Sequence, residues 1–502
     1  MTDNVFMGID CGTSTLKVAL INDHGRRLAL AERNVPCTHH RDGRVTQDAP
    51  TLRRVMLDAM REVMAQKRVV PAAVAAVAIA NQRATLLALD RHGQPLLPAI
   101  SWQDMTGAAA VARLERHISK DAYYRITGLP LHAVFTLAKI LNLQTRAPLQ
   151  YRRADRFVLL QEYLLRALGC ADYLLDHSNA SLSGMLDIRH LRWSDDILRR
   201  AAIPMHRLST LVPSGQRVGA LSAAVARHTG LTAGTPLIAG GGDQQCAGAG
   251  AGVVRPGLCS ITMGTAGVSF CHVNRVVLDP LQRITCCAHV VPGCWNLEGL
   301  QNAAGDSLRW INHNLAGTNR LSPGWRAQVA AVPPGARGVI FLPYLAGASA
   351  PHWIAEATGA FLGLRQHHDA ACLIRAVMEG VVFENRQILD VFTSLRVPVD
   401  EIRLTGGCAS IAIWNQIQAD VYGRAVRPLP DPDATVRGAA MLGAYGVGIF
   451  GSVSEAAEHM VRTGVPRRPN RANQRRYTTA YRKYRDTVEC FKTTGLFTRL
   501  VE

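Results

Sequence analysis

An apolar strand, a turn of small residues and a second apolar strand open this chain, and that arrangement constrains the fold more than any other feature. Residues 5–9 are apolar, Asp10-Cys11-Gly12-Thr13-Ser14-Thr15 forms the turn, and residues 16–21 are apolar again. Asp23-His24-Gly25 makes a second turn, and residues 27–35 alternate onward. The pattern reads as a β-meander whose first turn carries free backbone N–H groups, hydroxyls and one carboxylate. The arrangement returns in the second half of the chain. Residues 258–263 are apolar, Gly264-Thr265-Ala266-Gly267 is the turn, and residues 268–273 complete the hairpin. Two hairpins with a Gly-Thr tip, one opening each half, point to an internal duplication.

At 502 residues the chain exceeds one ordinary hydrophobic core, so two domains are expected. Between the hairpins, helical patterns over 50–66, 107–118, 135–143 and 156–168 alternate with strands over 74–80 and 237–239. The second half repeats the alternation. It has strands over 339–342 and 401–405, a long helix over 370–395, and helices over 414–422 and 435–446. Interleaved strands and helices define an α/β fold class. The small-residue run 247–252 marks the boundary, giving domains over 1–248 and 249–490.

A formal charge of +18 raises the question of a nucleic-acid or membrane partner. The excess is nearly all arginine and spread along the chain. Its densest part, 462–485, carries Tyr477, Tyr481 and Tyr484 at helical spacing, so one face is packed and the other solvated. No nucleic-acid partner is expected. The twelve cysteines form no CxxC pair and no zinc spacing. The N-terminal MTDNVFMGID has no basic region followed by an apolar one, so no signal peptide is expected there, and no apolar run reaches bilayer length, so a cytoplasmic protein without a membrane partner is expected. The histidine pairs His39-His40 and His367-His368 read as surface residues.

Several segments carry residues suited to phosphate chemistry. In the first turn, Gly12 lets backbone approach phosphate oxygens, Thr13 and Ser14 donate hydrogen bonds, and Asp10 is the candidate Mg²⁺ carboxylate. An ordinary Asx turn is the alternative. Gly264 and Thr265 would cradle phosphates in the same manner. Gly240-Gly241-Gly242 releases Asp243 from the end of an apolar strand, where it would act as a general base on a bound hydroxyl while Gln244 orients the acceptor. Asp243 as a helix N-cap is the other reading. Gly248, Gly250 and Gly252 lack the context of a dinucleotide fingerprint and read as helix packing. Gly406-Gly407-Cys408-Ala409 follows a strand, where bare backbone would let an adenosine ring lie flat or would simply turn the chain.

Taken in order, these segments resemble the FGGY carbohydrate kinases of the actin-like ATPase superfamily. IDCGTSTLKVALIN is similar to the family's first phosphate hairpin, and AIANQRATLLALD with PAISWQD to its sugar-contacting strand and loop. GGGDQQCAGAGAG resembles the catalytic-aspartate segment and SITMGTAGVSF the second hairpin. FLPYLAGASAPHW and LTGGCASIAIWNQIQADVYGRAV resemble the C-terminal signature and the adenosine segment. The resemblance implies two actin-like (ribonuclease H-like) ATPase domains with an interdomain catalytic cleft. It implies ATP and Mg²⁺ as cofactors and a small sugar or polyol as substrate, and it leaves a homodimer open. Asp243 becomes the base and Asp10 the metal-linked carboxylate. Gly12, Thr13, Ser14, Gly264, Thr265, Gly406 and Gly407 become nucleotide contacts, and Gln82, Arg83, Trp102, Asp104 and Gln244 sugar contacts.

The acceptor loops mix two patterns. Asn81-Gln82-Arg83 with Asp243-Gln244-Gln245 is similar to glycerol kinases, but their following glutamate is here Ala84. The PAISWQD and PYLAGASAPHW segments are more similar to xylulokinases, with Ala348-Ser349 replacing a Glu-Arg pair. The expected reaction is phosphorylation of a primary hydroxyl of a pentulose, D-xylulose first. Glycerol or another polyol is the alternative acceptor, and a non-catalytic actin-like regulator the alternative class.

Overall fold

The computed structural model describes residues 4–66, 69–316 and 324–500. Residues 1–3, part of the segment read for a leader, lie outside the described residues. By internal contact the chain divides into two units. The first comprises Met1–Arg255, Val273–Asn296 and Asp433–Val461, the second Pro256–His272, Leu297–Pro432 and Arg462–Glu502.

The first unit is built on a six-stranded sheet. Its strands are β1 (Val5–Cys11), β2 (Thr15–Asn22), β3 (Arg27–Asn34), β4 (Val74–Asn81), β5 (Arg217–Ala220) and β6 (Pro236–Gly242), in the order β5-β6-β4-β1-β2-β3. The meander read from the sequence is β1-β2-β3, paired antiparallel. β4 joins β1 in parallel and β6 joins β4 in parallel. Nearly every residue of β1 and β4 is buried, as expected of strands covered on both faces. One cover is the helix Ala49–Gln66, which buries Leu52, Met56, Ala59, Met60 and Val63 at helical spacing.

The other cover is the helix Ala434–Gly446, whose small residues let backbones approach. A methyl on Gly438 would lie 1.9 Å from the carbonyl oxygen of Cys246, and one on Gly250 1.9 Å from that of Ala434. The helices Asp243–Gly250 and Ala434–Gly446 therefore meet backbone to backbone, and the glycines of this stretch serve packing.

One predicted helix divides. Residues Arg156–Leu159 are a strand paired antiparallel with Leu86–Leu89, and only Leu160–Leu168 is helical. The Glu162 carboxylate accepts from the Leu159 N–H at 3.1 Å and starts the helix there. Periodicity does not separate a short apolar strand from a helical turn, and here cross-strand pairing decides. The helix expected over 107–118 is also shorter, Ala108–Leu114.

The second unit repeats the plan. Five successive strands of its sheet are β7 (Gly257–Met263), β8 (Gly267–Val273), β9 (Trp295–Gln301), β10 (Val399–Thr405) and β11 (Val426–Pro428), in the order β9-β8-β7-β10-β11. β7 and β8 form an antiparallel hairpin, while β10 and β11 continue in parallel. This is the order β3-β2-β1-β4-β6 over again, so the duplication extends from the hairpins to the sheets. The helix Arg471–Thr493 buries Tyr477, Tyr481 and Tyr484 against Phe383 of the helix Ala370–Ser394, which accounts for the tyrosine spacing. All twelve cysteines are free thiols.

Candidate active site

Three strands of the first sheet end side by side. Asp10 of β1 pairs in register with Ala80 of β4, and Ala80 with Gly241 of β6. Neighbouring strands lie about 5 Å apart, so the segments leaving these three ends share one small region although they are distant in sequence. They are Gly12-Thr13-Ser14, Gln82-Arg83 and Asp243. The carboxyl ends of parallel strands are where open α/β sheets place their ligands.

The glycine run before Asp243 is required by close contacts on both sides. A methyl on Gly240 would lie 2.0 Å from the Ile79 carbonyl oxygen, and one on Gly242 2.5 Å from Arg83 Cδ. Gly242 takes the N-cap position, so the alternative reading of Asp243 as the cap is not realised. Asp243 is the first helical residue, and its Oδ1 accepts from Arg83 Nε at 3.0 Å and from the Gln244 N–H at 2.8 Å. The Asp243 side chain is 24% exposed and the Arg83 side chain 9%. The carboxylate is thus oriented and half-buried.

Asp10 is held differently. Burial, then the charge of Asp243, pushes its carboxyl up to about 8, with Lys17 opposing and Asp433 adding. Its buried Oδ1 has no hydrogen-bond partner. Lys17 sits opposite Asp10 in the β1-β2 register, but its Nζ is engaged with Asp433 Oδ1 at 2.6 Å. Asp433 also pairs with Arg27 and fastens the start of the helix Ala434–Gly446 to the hairpin. A buried, unsatisfied carboxylate oxygen beside a second carboxylate fits a divalent cation. Mg²⁺ is commonly held by one or two carboxylates plus phosphates and water. No group of three acidic, histidine or cysteine ligands occurs among the described residues, so an all-protein cage is not formed there.

The first turn is braced from behind by two buried glutamines. Gln47 Nε2 donates to the carbonyls of Thr13 at 2.7 Å and Val35 at 2.9 Å. Gln82 Nε2 donates to Gln47 Oε1 at 2.6 Å and to the Gly12 carbonyl at 3.2 Å. Gln82 is 1% exposed with both amide hydrogens used, so it supports the turn instead of facing solvent. Asp104 lies equally deep, accepting from the Val45 N–H and from both donors of Thr106. Trp102 is half-buried, and its indole N–H donates to Thr13 Oγ1 at 2.8 Å. Gln244 is half-buried and Ser14 exposed. Ala84 is 2% exposed. Arg83, Trp102, Asp243 and Gln244 are therefore only partly buried, whereas Gln82 and Asp104 are buried.

The second unit carries its own strand-end cluster. Thr262 of β7 pairs in register with Thr405 of β10, which places the Gly264-Thr265 turn beside Gly406. Gly406 has φ 80°, and a methyl there would lie 2.6 Å from the Met263 carbonyl oxygen, so only glycine fits. A methyl on Gly407 would meet nothing within 4 Å, which leaves its backbone accessible. Gly407–Ser410 forms a short helical turn, and Cys408 is held protonated, its thiol pushed up to about 11 by burial. The start of the helix Gly305–Ala316 touches the hairpin: the Gly305 N–H donates to the Gly264 carbonyl at 2.8 Å and the Ala304 N–H to the Thr265 carbonyl at 2.9 Å. Arg309 donates to Thr265 Oγ1 at 3.0 Å. Gln47, Lys17, Asp433 and Arg309 were not singled out by sequence reasoning. Lys17 sits inside the first hairpin and the other three outside any motif, and each is made relevant by its pairing.

A small-residue hairpin turn beside parallel strand ends, present twice, marks a duplicated two-unit α/β scaffold. The N-terminal domain of the FGGY family of carbohydrate kinases matches residues 5–250, and its C-terminal domain matches residues 259–447. The chain belongs to this family of sugar-phosphorylating enzymes. It is 29% identical over 481 residues to a xylulose kinase of Bacillus subtilis, covering 96% of each protein. It is 26% identical over 487 residues to a gluconokinase of the same organism, covering 94% of this chain and 93% of that one. The ligand-bound xylulose kinase from Lactobacillus acidophilus shares the fold, with a TM-score of 0.92 over 97% of this chain and 98% of that one, at 21% identity. Among the described residues, no helix is long and apolar enough to cross a membrane.

Proposed function

We propose that the protein transfers the γ-phosphoryl group of ATP to a primary hydroxyl of a small sugar, with D-xylulose the first candidate and D-gluconate the second. The observation that carries this reading is the register that sets Asp10, Arg83 and Asp243 at three adjacent strand ends. Asp243 accepts the hydroxyl proton as the sugar oxygen forms its bond to the γ-phosphorus and the bond to the β,γ-bridging oxygen breaks. Arg83 holds that carboxylate in orientation. Trp102 and Gln244 contact the acceptor, while Gln82 and Asp104 act by holding the turn and the loop. Thr13, Ser14 and Thr265 donate to phosphate oxygens, Gly12 and Gly264, whose N–H groups close their own turns, let the phosphates approach the backbone, and the backbone of Gly406 and Gly407 receives the adenosine. Mg²⁺, held by Asp10, would neutralise charge on the phosphates. D-xylulose ranks first because a relative aligned over almost the whole chain is a xylulose kinase, and D-gluconate second on the same ground.

The test is ADP release with Mg-ATP and a panel of D-xylulose, L-xylulose, D-ribulose, L-ribulose, D-gluconate, glycerol and erythritol. Strong stimulation by D-xylulose is expected. Stimulation by glycerol alone would move the acceptor class to polyols, and stimulation by none would remove the kinase reading.

A further inference from the structure

Asp176 lies outside the strand ends, yet hydrogen bonds lead from it to Gly242 and Gln82, the residues next to Asp243 and Arg83. It is fully buried, closes the strand Leu174–Asp176 and precedes the short helix His177–Ser181. Its Oδ2 accepts from the Ser178 N–H at 2.8 Å, from the Ser178 hydroxyl, and from Ser214 Oγ at 2.8 Å. Its Oδ1 accepts from Asn179 Nδ2 at 2.6 Å. A five-residue helix does not need a fully buried acid to cap it, and burying one is costly unless its bonds are used.

The bonds lead outward in two directions. Because the Ser178 hydroxyl donates to Asp176, its lone pairs face away, and the Gly242 N–H donates to them at 2.9 Å. Gly242 immediately precedes Asp243. In the other direction, one amide hydrogen of Asn179 is committed to Asp176, which fixes which way that amide points. Asn179 and Asn81 then exchange hydrogen bonds, Nδ2 to Oδ1, at 3.2 and 3.1 Å. The second amide hydrogen of Asn81 goes to the Gln82 carbonyl at 2.8 Å, next to Arg83. Gly242 and Asn81 are themselves register partners in the sheet.

We infer that Asp176 is a positioning residue for phosphoryl transfer, setting the base through Ser178 and Gly242 and its arginine through Asn179 and Asn81. The inference rests on the reading of Asp243 as the base. Asp176 itself touches neither reactant.

Ser178→Ala and Ser214→Ala form the decisive pair. Each removes one buried hydrogen bond to the same carboxylate oxygen, and Ser178→Ala in addition removes the acceptor of the Gly242 N–H, so the larger loss of stability is expected there. Turnover is measured with Mg-ATP and D-xylulose, alongside acceptor-free ATP hydrolysis, and hydrogen–deuterium exchange is followed in the peptide containing Gly242. Ser178→Ala should lower kcat about ten- to a hundredfold with the KM for ATP little changed, and speed exchange at Gly242. Ser214→Ala should do neither. Equal effects on kcat and exchange in the two variants would overturn the inference. Asp243→Asn is run in parallel. If it retains turnover, the base reading fails by itself, and exchange at Gly242 alone then decides whether Asp176 positions that strand end.

Discussion

Asp10→Asn separates the charge of the first turn from its shape. The Asp10 carboxyl is pushed up to about 8 from an ordinary 3.8, first by burial and then by Asp243. Between those values the folded state keeps a proton that the unfolded chain has released, so stability falls as pH rises through that window and levels above it. At about 1.4 kcal/mol per pH unit, the roughly four units from 3.8 to about 8 set a ceiling of ~6 kcal/mol at pH 8. Because Asp10 is not fully enclosed, a gain of about 1–3 kcal/mol is expected when asparagine removes the charge. Urea unfolding followed by tryptophan fluorescence at pH 5.5 and pH 8, without nucleotide, reads the effect. The variant should be the more stable protein at pH 8 and should lose less between the two conditions. Added Mg-ADP should reverse the order, stabilising the wild type and leaving the variant almost unmoved. A variant that is no more stable at pH 8, with an unchanged pH slope, would show that the Asp10 charge carries no such cost in the folded protein.

Two further perturbations test the packing around the site. Gly438→Ala would place a methyl 1.9 Å from the Cys246 carbonyl oxygen, and helix separation should cost about 1–3 kcal/mol or more. An unchanged urea midpoint would contradict that packing. Lys139 is 2% exposed, its amine pushed down to about 7 by burial. The unfolded chain binds that proton more tightly, so this residue makes stability rise with pH from about 7 to 10. Lys139→Met should therefore be stabilising at pH 7, with the gain fading toward pH 10. A variant less stable at pH 7 would show instead that the bond from Lys139 Nζ to the Val134 carbonyl outweighs the burial cost.

Turn chemistry made much of this molecule legible in its sequence. Asp10-Cys11-Gly12-Thr13 and Gly264-Thr265 interrupt apolar runs so sharply that both hairpins, and from them the duplication, could be placed before any coordinates. The glycine run before Asp243 likewise announced a strand end. Depth was not legible. Gln82 and Asp104 sit in motifs that suggest contact with sugar, yet both are buried and spend their hydrogen bonds on the turn and loop. The residue types give the chemistry but not which side of the backbone they occupy. Partners distant in sequence were equally hidden. Nothing local to Asp433 says that it meets Lys17 and Arg27, or that residues 433–461 pack with the first unit. The strand at Arg156–Leu159 was missed because a four-residue apolar run has no period of its own, and Leu86–Leu89 supplies the reason for it.

Asp243→Asn, compared with the wild type, tests whether Asp243 is the base for phosphoryl transfer. Sugar-phosphate formation from D-xylulose and Mg-ATP would be followed by ³¹P NMR, with ADP affinity measured by calorimetry on both proteins. Product formation should fall at least about a hundredfold in the variant while ADP affinity stays within a few-fold. A variant that phosphorylates D-xylulose at near the wild-type rate would contradict the account.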